Sequence, residues 1–245
     1  MINNLELKKQ LLDIIKQYDD PHTALPEDEH PDLSKLSMED SLRYFTLPMA
    51  LDYRRDSYKL WQSAKATFLD PATNFVFKPE EVINLSVNDV QEALTKYKLA
   101  IQYNKQTEIW IKLCETLHNN YNDKVSELLA TNNYSVMLLK KEMQKTNKKS
   151  YPYISGDKLF NYWLMVLKKY LDIPLQDIEK LSLAIDSHIV KASYKLQVIT
   201  EEELNKYNSA KLSMRAWDKV LQETSIRAID LQNPLWLWAK NELNE

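Results

Sequence analysis

Tyr151-Pro152-Tyr153-Ile154-Ser155-Gly156-Asp157-Lys158 contains the one glycine of a 245-residue chain. A chain that uses glycine once has one place where the backbone must turn tightly or approach something closely. A lysine-rich segment leads into this stretch, and an apolar helical pattern begins near Lys158. The stretch therefore reads as a hairpin between two helices, with Ser155, Gly156 and Asp157 at the turn. Backbone amides in such a hairpin can hold a nucleic-acid phosphate. The plainer alternative is one tight helix–helix turn with a glycine at the C-cap.

The composition around this stretch narrows the class. Hydrophobic residues make up 44% of the chain and aromatic residues 10%, enough for a folded core of one domain or two closely packed lobes. One glycine, abundant Leu, Lys and Glu, and few valine-rich runs predict a mostly helical protein. The single cysteine, Cys114, excludes an internal disulfide, a cysteine zinc site and a four-cysteine iron–sulfur cluster. It also fits a reducing compartment. No apolar run approaches the roughly 18 residues of a membrane span, and Met1 leads into Asn, Leu and Lys and not into a signal peptide. A soluble cytoplasmic protein is expected.

A net charge of −3 argues poorly for nucleic-acid binding by the chain as a whole. The distribution argues better. Six lysines (140, 141, 145, 148, 149 and 158) stand against Glu142 and Asp157, while acids collect in Asp19–Glu39. A compact basic patch beside the hairpin, with Lys148 and Lys149 nearest to it, can neutralise several phosphates. A solvated helix face followed by a charged loop is the alternative.

Apolar spacing places the remaining elements. Leu7, Leu11, Ile14, Ile15 and Tyr18 predict a first helix over 4–18. Pro21, Pro26 and Pro31 mark a surface loop over 19–35, with His22 and His30 as solvated loop histidines. Ser37 with Asp40, and Ser86 with Asp89, resemble capping boxes. A helix is predicted from Met49 to Phe68, carrying Tyr53 and Trp61, and a short strand or extended link over Asn74–Lys78. Thr107–Leu117, with Trp110 and Cys114 inward, and Ser135–Lys145 are further helices. Leu159–Leu167 is apolar nearly all round, the mark of a buried helix. Asp186 precedes a helix with Ile189, Ala192 and Leu196 inward, which makes it an N-cap candidate. Asn233-Pro234 is read as the start of a last helix.

The order hairpin, Lys158, buried helix, then Ala184-Ile185-Asp186-Ser187-His188 resembles the helix–hairpin–helix superfamily of DNA base-excision glycosylases. The interval between Lys158 and Asp186 is similar to that of the archaeal 8-oxoguanine glycosylase branch. The likeness is specific over 151–198. It departs from the family in the hairpin, which carries one glycine where Gly-x-Gly is usual. The resemblance implies an all-α, two-lobed glycosylase-like fold over 1–245, with 138–198 as the helix–hairpin–helix and catalytic segment.

It also implies a chemistry. Asp186 would supply negative charge to a cation-like sugar as the base leaves. Lys158 would attack the sugar as a free amine, desolvated by the apolar helix it heads, and the Schiff base so formed would permit strand cleavage. Without the lysine step, Asp186 would activate water. The alternatives are a plain N-cap for Asp186 and a phosphate-contacting surface lysine for Lys158. His188 would be structural or phosphate-facing. A flipped base must stack on aromatic walls, for which Trp236 with Asp230, and Trp61 with Tyr53, are the candidates.

No metal or other cofactor is implied. The expected partner is double-stranded DNA carrying a damaged or modified base, acted on by a monomer away from membranes. The base would be 8-oxoguanine in repair, or a bulky one such as glucosylated hydroxymethylcytosine in phage DNA, which would make the protein antiviral. A non-catalytic DNA-binding module and a plain helical interaction protein are the competing classes.

Overall fold

The structure is a computed structural model that describes residues 4–18 and 24–243. Within them the protein is all-α. Its helices are α1 (Asn4–Tyr18), α2 (Met38–Thr46), α3 (Ser57–Leu69), α4 (Pro79–Val82), α5 (Val87–Lys96), α6 (Tyr103–Tyr121), α7 (Val125–Thr131), α8 (Val136–Lys141), α9 (Asp157–Leu171), α10 (Ser187–Lys195), α11 (Glu201–Leu204), α12 (Ser209–Thr224) and α13 (Ala228–Glu242). A single isolated bridge between Ser135 and Gln176 is the only β-type pairing among the described residues. None of the described helices is long and apolar enough to cross a membrane.

Local chemistry explains many of the boundaries. The side chains of Ser37 and Ser86 accept from the amides of Asp40 (3.0 Å) and Asp89 (3.2 Å), starting α2 and α5 where the capping pairs predict. Asn122 closes α6 and Asp172 closes α9, both in the left-handed conformation that short polar side chains tolerate better than most. A π turn over Glu142–Thr146 follows α8 directly.

The chain forms two compact units. One is Ala24–Ile178. Its core is aromatic: Tyr44 meets Phe45, Trp61, Phe68 and Phe77 at ring separations of 5.2 to 6.1 Å. The indole of Trp110 donates to the Val76 carbonyl (2.7 Å), and that of Trp163 to the Thr46 hydroxyl (2.9 Å). Such partners offset the cost of burying an indole N–H; that of Trp61 has none among the described residues. Each fully buried large side chain contributes about 2 kcal/mol. Through Phe160, Trp163, Leu164 and Leu167, α9 belongs to this core.

The other unit joins the two ends of the chain, Met1–Thr23 and Glu179–Glu245. Here α1 buries Leu7, Leu11 and Ile14 and packs on α13 and α12. The buried run Leu181–Ile185 leads to α10. It is held by the Gln232 side-chain oxygen, which accepts from the Ala184 amide at 2.7 Å. Trp217 donates to the Ser193 hydroxyl at 2.7 Å and ties α12 to α10.

Several predicted elements differ. The 49–68 helix begins only at Ser57, because Pro48–Leu51 is a 3-10 turn and Asp56 caps α3 by accepting from the Lys59 amide at 3.2 Å. Asn74–Phe77 is a 3-10 turn and not a strand; it tucks Val76 and Phe77 into the core. The 19–35 segment is not all surface loop: Leu25, Pro26 and Glu27 are buried. His30 packs edge-on against Phe45 and Tyr170, whereas His22 lies outside the described residues. The last helix starts six residues earlier than Pro234 and carries that proline inside it. The Asp230 carbonyl therefore lacks its usual helical donor.

Candidate functional site

The hairpin is anchored by its apolar side. Tyr151 and Ile154 are buried, and the Tyr151 hydroxyl bonds that of Tyr121 at 2.8 Å and reaches Glu142 Oε1 at 3.2 Å. The turn then closes on itself. The amides of Ile154, Ser155 and Gly156 donate to the carbonyls of Pro152 (2.7 Å), Tyr151 (3.1 Å) and Tyr153 (2.8 Å). Ser155 is buried as well. The expected phosphate cradle over Ser155–Gly156 is thereby corrected, since its amides are engaged inside the turn. The open donors are instead those of the first turn of α9, beginning at Asp157. Helix geometry leaves these amides without intrahelical acceptors, and no side chain caps them.

Gly156 has an extended backbone, φ −67°, so left-handed freedom is not its role. A Cβ there would lie 3.1 Å from the Tyr153 carbonyl oxygen. Of the two reasons a lone glycine can have, close approach is the one observed. The left-handed position is Tyr153 itself, φ 62°.

Lys158 lies in the first turn of α9 with its side chain 37% exposed, and its amine is 3.7 Å from Asp52 Oδ2. Asp52 is buried, its side chain 2% exposed, and it accepts from the Ser57 hydroxyl at 2.7 Å. The dry apolar surroundings expected for this amine are absent; its neighbour is a carboxylate. One turn further along α9, Tyr162 donates to Glu27, a carboxyl only 1% exposed. Burial holds the Glu27 carboxyl above the usual carboxylate range, against the opposing pull of the Tyr162 hydrogen bond. Lys148 and Lys149 are exposed just before the hairpin.

In the other unit Asp186 caps α10. Oδ1 accepts from the Ile189 amide at 2.9 Å, and Oδ2 accepts from the Trp236 indole at 2.9 Å. His188 sets its ring edge-on to Trp236, with centroids 5.7 Å apart. Its Nδ1 is buried without a hydrogen-bond partner among the described residues. Asp186, His188 and Trp236 thus form one group on α10 and α13. Asp230 does not join them, because its carboxylate accepts from Nε and Nη2 of Arg227 at 2.7 and 2.8 Å. Six residues apart on one continuous helix, Asp230 and Trp236 point about 120° away from each other.

The second predicted wall also divides. Trp61 is 0% exposed and packs on Tyr44 and Phe45, so it offers no face to a base. Tyr53 is 40% exposed and lies beside Tyr153 of the hairpin, with ring centroids 5.0 Å apart. Cys114 is fully buried, and burial pushes its thiol up, away from a nucleophilic form. Among the described residues no three His, Cys, Asp or Glu side chains group as metal ligands would.

Sequence reasoning missed Asp52, Tyr153 and Lys105, whose amine stands 5.1 Å over the Tyr153 ring. Asp52 stood inside a predicted helix; the acids flanking Tyr53-Arg54-Arg55 were the available sign of a break there. Lys105 and Tyr153 come from distant parts of the chain and give no local signal. No family model matches this chain, and no curated protein matches it either.

Proposed function

We propose that the protein is a DNA glycosylase that removes a damaged or modified base. The observation that carries this reading is the state of Asp186. Both its oxygens are fixed by donors, an amide and an indole, while the residue stays only partly buried. A carboxylate held this way can place negative charge at a sugar as the N-glycosidic bond breaks, without reorganising. The order hairpin, lysine, buried helix and aspartate supports the assignment through its resemblance to the superfamily named above. Double-stranded DNA is the partner, with 8-oxoguanine or a glucosylated hydroxymethylcytosine as the target base.

Two versions of the reaction differ at Lys158. In the lyase version its amine attacks the sugar and forms a Schiff base; in the simpler one Asp186 activates water. The carboxylate of Asp52, 3.7 Å from that amine, favours the second, because the amine is already engaged. The test incubates the protein with duplexes carrying an abasic site, 8-oxoguanine or glucosylated hydroxymethylcytosine, with borohydride present. The water version gives base release without a covalent adduct, abolished in Asp186→Asn. An adduct lost in Lys158→Gln would instead establish the lyase version. No release from any duplex would sink the glycosylase reading and leave a DNA-binding module in its place.

A further inference from the structure

We infer that Tyr53 and Tyr153, with Arg54 and Lys105, form a platform on the Ala24–Ile178 unit for the unpaired nucleotides of a single-stranded nucleic acid. The two rings lie 5.0 Å apart at an angle of 54°. The Arg54 guanidinium stands 5.2 Å over the Tyr53 ring, and the Lys105 amine stands 5.1 Å over the Tyr153 ring. Tyr53, Arg54 and Lys105 are exposed, and Tyr153 is partly so. Among the described residues neither cation has a carboxylate partner, although Asp52 and Asp56 are close in the chain. Three separate segments, at 53–54, 105 and 153, supply this one patch. Arg54 and Tyr153 both take left-handed backbone, φ 52° and 62°, which non-glycine residues adopt at a cost.

The chemistry of the patch selects its partner. Exposed aromatic rings offer flat faces on which any base can stack, and nearby cations meet the phosphates between bases. In a duplex the bases stack on one another, so only unpaired nucleotides present free faces. Proline-rich peptides also pack on exposed tyrosines, but nothing in them answers two cations that lack acids. Lys148 and Lys149, exposed before the same hairpin, add to the attraction for phosphate. Base excision plays no part in this inference, and it stands or falls apart from the glycosylase reading.

Fluorescence anisotropy with two labelled probes of about 12 nucleotides tests it, one a mixed-sequence single strand and the other the same backbone without bases. The wild type is expected to bind the first about tenfold tighter than the second. Tyr53→Ala should erase most of that difference and leave the baseless probe bound as before, and Tyr53→Trp should restore it. Arg54→Ala should weaken both probes. Tyr53 is exposed, so its variants are expected to keep the fold, which circular dichroism checks. Equal binding of the two probes by the wild type overturns the inference. A difference that survives in Tyr53→Ala also overturns it, as does binding of a labelled proline-rich peptide where the oligonucleotide fails.

Discussion

A carboxyl sealed beneath α9 makes stability depend on pH. Burial raises the Glu27 pKa above its ordinary 4.5, so the folded chain keeps that proton where the unfolded chain has released it. The stabilising contribution is complete below the unfolded value and is lost as pH rises through the folded one. Glu27→Gln is neutral throughout and keeps an oxygen for the Tyr162 hydroxyl. Urea midpoints of the wild type should therefore fall relative to the variant as pH rises above the ordinary 4.5 of a free glutamate. Parallel curves would mean that Glu27 titrates like a free side chain. The capping role of Asp186 was readable in the sequence because an N-cap bonds an amide only three residues away. Its hydrogen bond from Trp236, fifty residues on, follows from tertiary packing and has no signature in spacing. The same holds for Asp52 beneath Lys158.

The hairpin illustrates how an element is decided by one close contact. Gly156→Ala places a methyl group 3.1 Å from the Tyr153 carbonyl, and that carbonyl is fixed, since it already accepts from the Gly156 amide at 2.8 Å. The backbone at Gly156 suits alanine, and a stiffer unfolded chain would return roughly half a kcal/mol. Crowding against a fixed backbone atom costs more, so a net loss of about 1 kcal/mol is expected in urea unfolding. A gain would show that the turn yields. Helices with serine caps and apolar stripes were legible from their residues alone. The 3-10 turns at Pro48–Leu51 and Asn74–Phe77 were not, because short apolar runs carry no period that separates them from helix or strand. Pro234 misled because proline favours a first turn, whereas packing of Leu231, Leu235 and Leu237 carries α13 straight through it.

At the scale of the molecule, the all-α class followed from one glycine and a helix-forming composition. The pairing of the chain's two ends did not, since α1 and α13 are far apart in sequence. Leu11→Ala removes a fully buried side chain from α1 and should cost about 3 kcal/mol. The loss belongs to the unit that contains α1. Amide hydrogen exchange should quicken in α12 and α13, while the core of Ala24–Ile178, read at α6 and α9, keeps its protection. Uniform acceleration along the whole chain would contradict that assignment. The discontinuous unit also dictates an order of events during synthesis. Leaving the ribosome ahead of the central segment, α1 carries an apolar stripe whose partners have yet to be translated. The middle of the chain can therefore fold while its forerunner waits unpaired, so this stripe is where a nascent chain would first need a chaperone.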